Sequence, residues 1–331
     1  MMRRLFPYGF RHWWKYNPYI RGMKRTIGFV LLPITWPLGL IWRLVVKGFV
    51  LSLIFILQKI GPDRSADAAA WIARKIGPRI RVAKLGRANL RAAYPEKTDE
   101  EIEKILTGVF DNLGRVAGEF VHLGKLWDWD ENAERGGRIT ISKEVSERFI
   151  ALRERDKAAV VFTGHLANWE LCAVAAAAHG LKSSVVFRPP NNQIFEKIIE
   201  RTRSGVMGEM IRSERQSVFT MAGVLERGRI LGVLVDQYFQ GVPIKFFGRQ
   251  TRANPLAARL ARQFDCPVYG ARVIRLPEGR FALDLTEPLD LPRDKDGKID
   301  VDAATQTINA VVEGWIREYP EQWLWLHRRW R

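Results

Sequence analysis

Short apolar runs alternate with helical patterns from about residue 145 onward, and this alternation restricts the fold more than any other feature. The predicted strands are Val160–Phe162, Ser184–Phe187, Ile230–Val235, Pro267–Leu276 and Arg280–Thr286. The predicted helices are Val145–Leu152, Gln193–Arg203, Val218–Arg227, Asn254–Phe264 and Ala303–Glu318. Strands that alternate with helices form mainly parallel sheets. The sequence therefore predicts an α/β fold with a mixed, largely parallel sheet flanked by helices.

The segment Gly164–Glu170 places a histidine between the first of these strands and an alanine-rich helix. Asn168 is predicted to cap that helix, which puts His165 in the loop and Glu170 in the first turn. A carboxylate beside an imidazole orients the ring and stabilises its protonated form, so this pair fits a general base with its partner. A buried, satisfied histidine beside a solvated turn explains the same pattern, and both interpretations stay open here.

His165, Arg188 and Asp236 each follow a predicted strand. Ligands of open α/β sheets bind outside the carboxyl ends of the strands, so we expect these three residues to converge there. The loop Arg188–Asn192 carries a guanidinium and the two amides of Asn191 and Asn192, which suits either an anion clamp or an ordinary turn.

Two further segments contain candidate binding residues. Asp236 and Gln237 form either a buried polar pair that supports the site or a plain turn at a strand end. His327 and Arg328 lie in a tail rich in tryptophan and arginine. That tail fits a core edge, a membrane interface or a contact to an anionic head group.

Several common chemistries lack their sequence motifs. There is no G-x-S-x-G segment, no P-loop and no dinucleotide-binding glycine pattern. The histidines are His12, His122, His165, His179 and His327, and their spacing is not that of metal ligands. We therefore expect no metal and no cofactor. A His–carboxylate pair without a protein nucleophile suits direct transfer, in which a substrate hydroxyl attacks an activated acyl carbonyl.

The positive charge is concentrated near the N-terminus. The net charge is +17, and residues 1–62 contain ten Lys or Arg but no Asp or Glu. Because this charge adjoins an apolar segment, it predicts a membrane surface rather than a nucleic acid as the partner. The two cysteines form no disulfide framework.

Residues 27–58 are predicted to anchor the chain in a membrane. Two uncharged halves are separated by Arg43 and Lys47, and Pro33 and Pro37 interrupt the first half. Basic residues on both flanks favour a broken or in-plane helical anchor with both flanks in the cytoplasm, and a buried helical hairpin is the alternative. We accordingly divide the chain into residues 1–62, with the anchor, and a catalytic domain over residues 63–331.

Five blocks, in order, resemble the late lipid A acyltransferases of bacteria, the lauroyl and myristoyl transferase family. They are Gly164–Glu170, Arg188-Pro189 with Asn191-Asn192, Asp236-Gln237, Phe246–Gly248 and Pro320–Trp330. The resemblance implies the fold of glycerolipid acyltransferases. It also implies His165 as general base, Glu170 as its orienting partner and Arg188 as a substrate clamp. Ala167 stands where a glycine is common.

The resemblance further implies the substrates. A fatty acyl group would pass from acyl carrier protein to a hydroxyl of a lipid A precursor, an anionic lipid. A basic protein at the bacterial inner membrane, with its catalytic domain facing the cytoplasm, suits both partners. Another membrane glycolipid or aminolipid as the acceptor, or hydrolysis of a lipid, are the alternatives.

Overall fold

A computed structural model describes residues 50–129, 137–190, 193–214 and 216–331, together with Val45 and Gly48. The chain divides into two compact units, Met1–Ile56 and Leu57–Arg331. Residues 50–60 are helical. Among the described residues, no helix combines the length and the apolar character that crossing a membrane requires. Most of the predicted anchor lies outside the described residues, so the anchor and the division after residue 62 stay predictions.

The second unit begins with helices that pack closely. They are α1 (Pro62–Ile76), α2 (Arg81–Ala93), α3 (Asp99–Phe120) and the short α4 (Leu123–Leu126). Thr98 begins α3 with a capping box, in which its hydroxyl accepts from the Glu101 N–H at 3.2 Å and Glu101 Oε2 accepts from the Thr98 N–H at 2.8 Å. A Cβ added at Gly118 would lie 2.3 Å from the Ser65 carbonyl oxygen, so α1 and α3 touch at backbone distance.

Seven strands form the main sheet, in the order β1-β9-β8-β2-β5-β3-β4. The strands are β1 (Ile139–Ile141), β2 (Ala159–Thr163), β3 (Ser183–Phe187), β4 (Glu209–Arg212), β5 (Ile230–Leu234), β8 (Val268–Arg275) and β9 (Phe281–Leu285). Every pairing is parallel except that of β8 with β9. The predicted mixed, largely parallel sheet is therefore confirmed.

Helices cover both faces of this sheet. They are α5 (Lys143–Arg155), α6 (Glu170–Ala178), α7 (Gln193–Arg203), α8 (Ser217–Glu226), α9 (Leu256–Phe264) and α10 (Val301–Glu318). Alternate residues of β2 supply two separate cores: Val160 and Phe162 pack on one face, and Ala159 packs on the other. The central strand is buried on both sides, which explains why it reads as a continuous apolar run.

A separate hairpin joins β6 (Val242–Phe246) to β7 (Arg249–Ala253). Its two-residue loop has positive φ at both positions, 53° at Phe247 and 69° at Gly248, as a type I′ turn requires. Phenylalanine is unusual there. Phe247 is held by packing against Tyr94 and Trp325, so tertiary contacts override local preference.

The C-terminal tryptophans belong to the core. Trp323 and Trp325 are buried, and their rings pack edge to face with centroids 4.7 Å apart. Of the three interpretations of this tail, the core edge is the one that the structure supports for these two residues. Their backbone lies beside the His165 loop: the Leu324 N–H donates to the His165 carbonyl at 3.2 Å and the Ala167 N–H donates to the Gln322 carbonyl at 2.9 Å.

Candidate active site

The register of two neighbouring strands brings His165 and Asp236 together. Thr163, the last residue of β2, lies opposite Leu234, the last residue of β5. His165 and Asp236 each follow two residues later, so parallel pairing places them side by side at the carboxyl edge of the sheet. The predicted convergence is confirmed for these two residues.

Asp236 holds the His165 ring and its backbone. One carboxylate oxygen accepts from His165 Nδ1 at 2.8 Å, and the other accepts from the His165 backbone N–H at 2.8 Å and from Trp323 Nε1 at 2.7 Å. Asp236 is fully buried, whereas the His165 side chain keeps 13% of its surface exposed. Because Nδ1 carries the proton that Asp236 accepts, Nε2 of the neutral ring has a free lone pair.

Opposite effects set the charge of this pair. Burial lowers the pKa of His165, but the charge of Asp236, its hydrogen bond and the charge of Glu170 outweigh burial and raise the pKa above its ordinary value. Burial would raise the pKa of Asp236, but the charge and hydrogen bond of His165 hold it far below its usual range. Asp236 is therefore ionised at neutral pH.

The prediction that Glu170 orients His165 is wrong. Glu170 is buried at the first residue of α6, where Arg203 of α7 forms a two-pronged ion pair with it, one bond being Nε to Oε2 at 2.9 Å. Residues five apart do not face each other on a helix, and the turn between His165 and α6 directs the carboxylate to the other side. Glu170 acts on His165 only through its charge.

Asn168 is not the helix cap that was predicted. Residue 169 precedes α6 without a side-chain cap, while Asn168 points inward and donates to Glu119 Oε2 at 2.9 Å. Arg275 pairs with the same Glu119 and donates from Nε to Asn112 at 2.9 Å. Asn112 in turn donates to the Ala167 carbonyl at 3.2 Å. A buried polar network therefore fixes the loop from behind.

The loop turns sharply at Ala167, where φ is 45°. This is the left-handed region that favours glycine, and Ala167 is fully buried. Glycine would adopt this backbone conformation at a lower cost than alanine.

The remaining predicted binding residues have different environments. Gln237 is exposed, with its side-chain nitrogen 3.4 Å from His165 Nε2. His327 stacks edge to face on Trp323 with centroids 5.0 Å apart, and its Nδ1 donates to the Leu324 carbonyl at 2.5 Å. Burial lowers the pKa of His327, so this ring is neutral. It lies near the site without bonding to His165.

Arg188 and Arg328 are exposed, and neither side chain hydrogen-bonds to His165, so their predicted binding roles stay predictions. Arg188 makes no hydrogen bond or ion pair within the described ranges. Asn191 and Asn192 lie outside the described residues, so their predicted role stays a prediction. Across the described part of the chain, no three His, Cys, Asp or Glu side chains form a group that could hold a metal ion.

Arg329 is the arginine beside the site, whereas the sequence pointed to its neighbour Arg328. Arg329 is fully buried and donates from Nη1 to the carbonyls of Gln237 and Arg252, at 3.3 and 2.8 Å, and from Nη2 to Asn309 at 2.9 Å. Burial lowers its pKa to about 10, so it stays charged. The side chains of adjacent residues point in different directions, and the sequence alone does not show which of two adjacent arginines points inward.

This geometry can take a proton from a substrate at the edge of the sheet. His165 is oriented, basic and partly accessible, and its buried carboxylate stabilises the imidazolium that forms. The sequence model of the family of bacterial lipid A biosynthesis acyltransferases matches residues 40–331. The chain belongs to this family. It is therefore an acyltransferase.

Individual family members are distant in sequence. The chain is 24% identical over 302 residues to the lipid A biosynthesis palmitoleoyltransferase of Escherichia coli (strain K12), covering 90% of this chain and 91% of the relative. It is 22% identical over 312 residues to the lipid A biosynthesis lauroyltransferase of the same organism, again covering 90% and 91%. A lipid A biosynthesis acyltransferase of Shigella flexneri is similar to the same extent as the first.

Proposed function

We propose that this acyltransferase moves a fatty acyl group from acyl carrier protein to a hydroxyl of a lipid A precursor, with His165 as general base oriented by Asp236. The observation that carries this proposal is the bond from His165 Nδ1 to the buried carboxylate of Asp236, because it leaves the proton-accepting lone pair on Nε2 of a ring that is 13% exposed. The names of the similar proteins support the acceptor class.

The reaction proceeds without an acyl-enzyme. His165 Nε2 removes the proton of the acceptor hydroxyl while its oxygen attacks the thioester carbonyl. The tetrahedral intermediate then expels the carrier thiolate, which takes the proton back from the imidazolium. One C–O bond forms and one C–S bond breaks, so the products are an ester and the carrier thiol. A positioned base of this kind is worth roughly 10²–10⁴-fold in rate.

We assign to the Gln237 side chain a contact with the thioester carbonyl oxygen during the reaction. Its nitrogen lies 3.4 Å from His165 Nε2, so this exposed amide must turn aside when the acceptor hydroxyl approaches the Nε2 lone pair. In the turned position we assign its N–H as a donor to the oxygen of the attacked thioester carbonyl, where negative charge develops. The Gln237 carbonyl is fixed by Arg329, so the side chain projects from a rigid turn.

The distribution of charge supports the partners and the location. The net charge of +17 favours an acidic carrier protein and a phosphorylated lipid. The ten basic residues of segment 1–62, together with its apolar runs, favour attachment to the bacterial inner membrane from the cytoplasmic side.

Product analysis tests the proposal. Purified full-length protein in detergent is incubated with acyl carrier protein loaded with a fatty acid and with a lipid A precursor, and the lipids are analysed by mass spectrometry. We expect one added acyl ester with the wild type and at least 10²-fold less with His165→Gln. Free fatty acid without acylated lipid would instead identify a hydrolase, and equal turnover by both proteins would remove His165 from the chemistry.

A further inference from the structure

Two stretches of the chain carry many basic residues and no acidic ones. Residues 237–264 contain five Lys or Arg, residues 322–331 contain three, and neither stretch contains Asp or Glu, although 36 of the 331 residues are acidic. A mixed surface is the rule for soluble domains. If two stretches without Asp or Glu lie next to each other in the fold, they therefore indicate a binding surface.

The two stretches do meet. The Arg329 carbonyl accepts from Thr251 Oγ1 at 2.6 Å, and Trp330 Nε1 donates to the Phe246 carbonyl at 3.2 Å. The hairpin of β6 and β7 alternates strictly, with one face in the core and the other exposed. Its exposed face presents Lys245 and Arg252.

Four exposed side chains form what we call the basic face: Lys245, Arg252, Arg328 and Arg331. None of them makes an ion pair with any residue that the structure describes. Glu313 of α10 approaches the hairpin, but the Phe247 N–H and Arg317 already occupy its carboxylate. The positive charge of the basic face is therefore not neutralised from within the described fold.

The basic face adjoins the reacting atoms. The same Arg329 nitrogen binds the carbonyls of Arg252 and Gln237, so the hairpin backbone lies directly beside the catalytic turn. The Arg331 guanidinium lies 4.8 Å from the centre of the Tyr238 ring, one residue after Gln237. A macromolecule bound on the basic face thus sits beside His165.

We propose that the basic face docks the acidic carrier protein and so delivers its thioester to His165. This inference rests on the proposed function for the identity of the partner. The exposed side chains of the hairpin include Lys245, Gln250 and Arg252, which suit an acidic protein surface better than a bilayer interior. Attraction between opposite charges also speeds the encounter of the two proteins, and salt weakens this attraction.

Charge reversal tests the docking surface. In the double variant Lys245→Glu/Arg252→Glu we expect the KM for the carrier-bound thioester to rise at least tenfold with kcat within twofold, and the salt dependence of kcat/KM to flatten. The KM for a small acyl thioester without the carrier protein stays unchanged. The matched control is Arg155→Glu/Lys157→Glu, which makes the same change in charge at two exposed residues before β2, on the opposite edge of the sheet.

Binding is also measured without turnover. We expect the carrier protein to bind full-length wild-type protein in detergent, and binding to weaken at least tenfold in the Lys245→Glu/Arg252→Glu variant but not in the control, with equal thermal midpoints. Binding of this kind by a wild type that transfers no acyl group would refute the proposed function while upholding the docking surface. The docking surface is wrong if both double variants bind alike, or if only the KM for the phosphorylated lipid rises.

Discussion

At the scale of single residues, the site is organised around Asp236 rather than around the carboxylate nearest to His165 in sequence. Three donors converge on its buried oxygens, and they come from the His165 ring, the His165 backbone and Trp323. A carboxylate that accepts several hydrogen bonds stays ionised even when buried. The ring orientation and the loop conformation therefore depend on the same side chain.

Glu170 and Arg203 should behave as one unit in folding. Glu170→Ala leaves a largely buried guanidinium without its partner, so we expect the free energy of unfolding to fall by about 3 kcal/mol. Adding Arg203→Met removes the unpaired charge and should restore most of that loss. Urea unfolding of the two single variants and the double variant measures this coupling. Additive losses would show that the ion pair is not coupled.

Replacing Ala167 with glycine should stabilise the folded protein. Its φ of 45° costs about 1–2 kcal/mol for a residue with a Cβ, and the greater freedom of glycine in the unfolded chain offsets about 0.5–1 kcal/mol. We expect Ala167→Gly to raise the free energy of unfolding by up to about 1 kcal/mol. The midpoint of denaturant unfolding measures it, and a lower midpoint would mean that the methyl group contributes more through packing than the turn costs.

At the scale of elements, the strands and helices were predicted well where burial is simple. The predicted strand Ile230–Val235 corresponds to β5 and the predicted helix Gln193–Arg203 to α7. The hairpin of β6 and β7 was missed because its turn uses Phe247, which has no local preference for positive φ. The order of strands was also beyond the sequence, because β5 joins β2 only through a crossover from β3 and β4.

Because the sequence does not give the order of the strands, it does not show which carboxylate lies beside His165. Without that order, Glu170 is the nearest carboxylate to His165 in sequence, whereas Asp236 is 71 residues away. The sequence shows only that His165 and Asp236 each follow a predicted strand, and it is the register of β2 with β5 that gives them the same offset from the strand ends. Arg203 and Arg329 gave no comparable signal, since nothing in a helix end or a tail of arginines marks which side chain will be buried.

Two glycines distinguish a tight helix crossing from an open position. A Cβ at Gly118 meets the Ser65 backbone at 2.3 Å, whereas nothing lies within 4 Å of a Cβ at Gly314 in α10. We expect Gly118→Ala to destabilise the protein by about 1–3 kcal/mol through overpacking. Gly314→Ala is the control and should stabilise by about 0.5–1 kcal/mol, since alanine favours helix. Equal effects in thermal unfolding would contradict the close approach of α1 and α3.

At the scale of the whole molecule, charge and apolar character are distributed unequally along the chain. Segment 1–62 contains ten basic residues, no acidic ones and the apolar runs, while the remainder holds all 36 acidic residues. Many arginines of the catalytic domain are paired, such as Arg115 with Asp67 and Asp111. The basic face instead combines four exposed basic side chains, none in an ion pair with a described residue, on two stretches that contain no Asp or Glu, and this combination favours it as a surface for a partner.

This distribution predicts how the protein attaches to membranes. We expect the full-length chain to sediment with the membrane fraction, to remain there after a wash in 1 M salt and to be released by detergent, because apolar segments resist salt while surface charges are screened. Release by the salt wash alone would show that electrostatic attraction suffices and that residues 27–58 do not enter the bilayer.

The pH dependence of kcat/KM for acyl transfer, in the wild type and in Asp236→Asn, shows whether His165 is the base and whether Asp236 sets its pKa. His165 must be neutral to act as base, and its pKa is raised, so we expect wild-type activity to rise with pH and to reach half its maximum above pH 6.5. Removing the charge of Asp236 lowers the pKa of His165. The variant should therefore lose roughly 10²–10⁴-fold in kcat/KM, with its half-maximum moved to lower pH. An Asp236→Asn protein with the wild-type rate and the wild-type midpoint would show that Asp236 does not support His165 as a base.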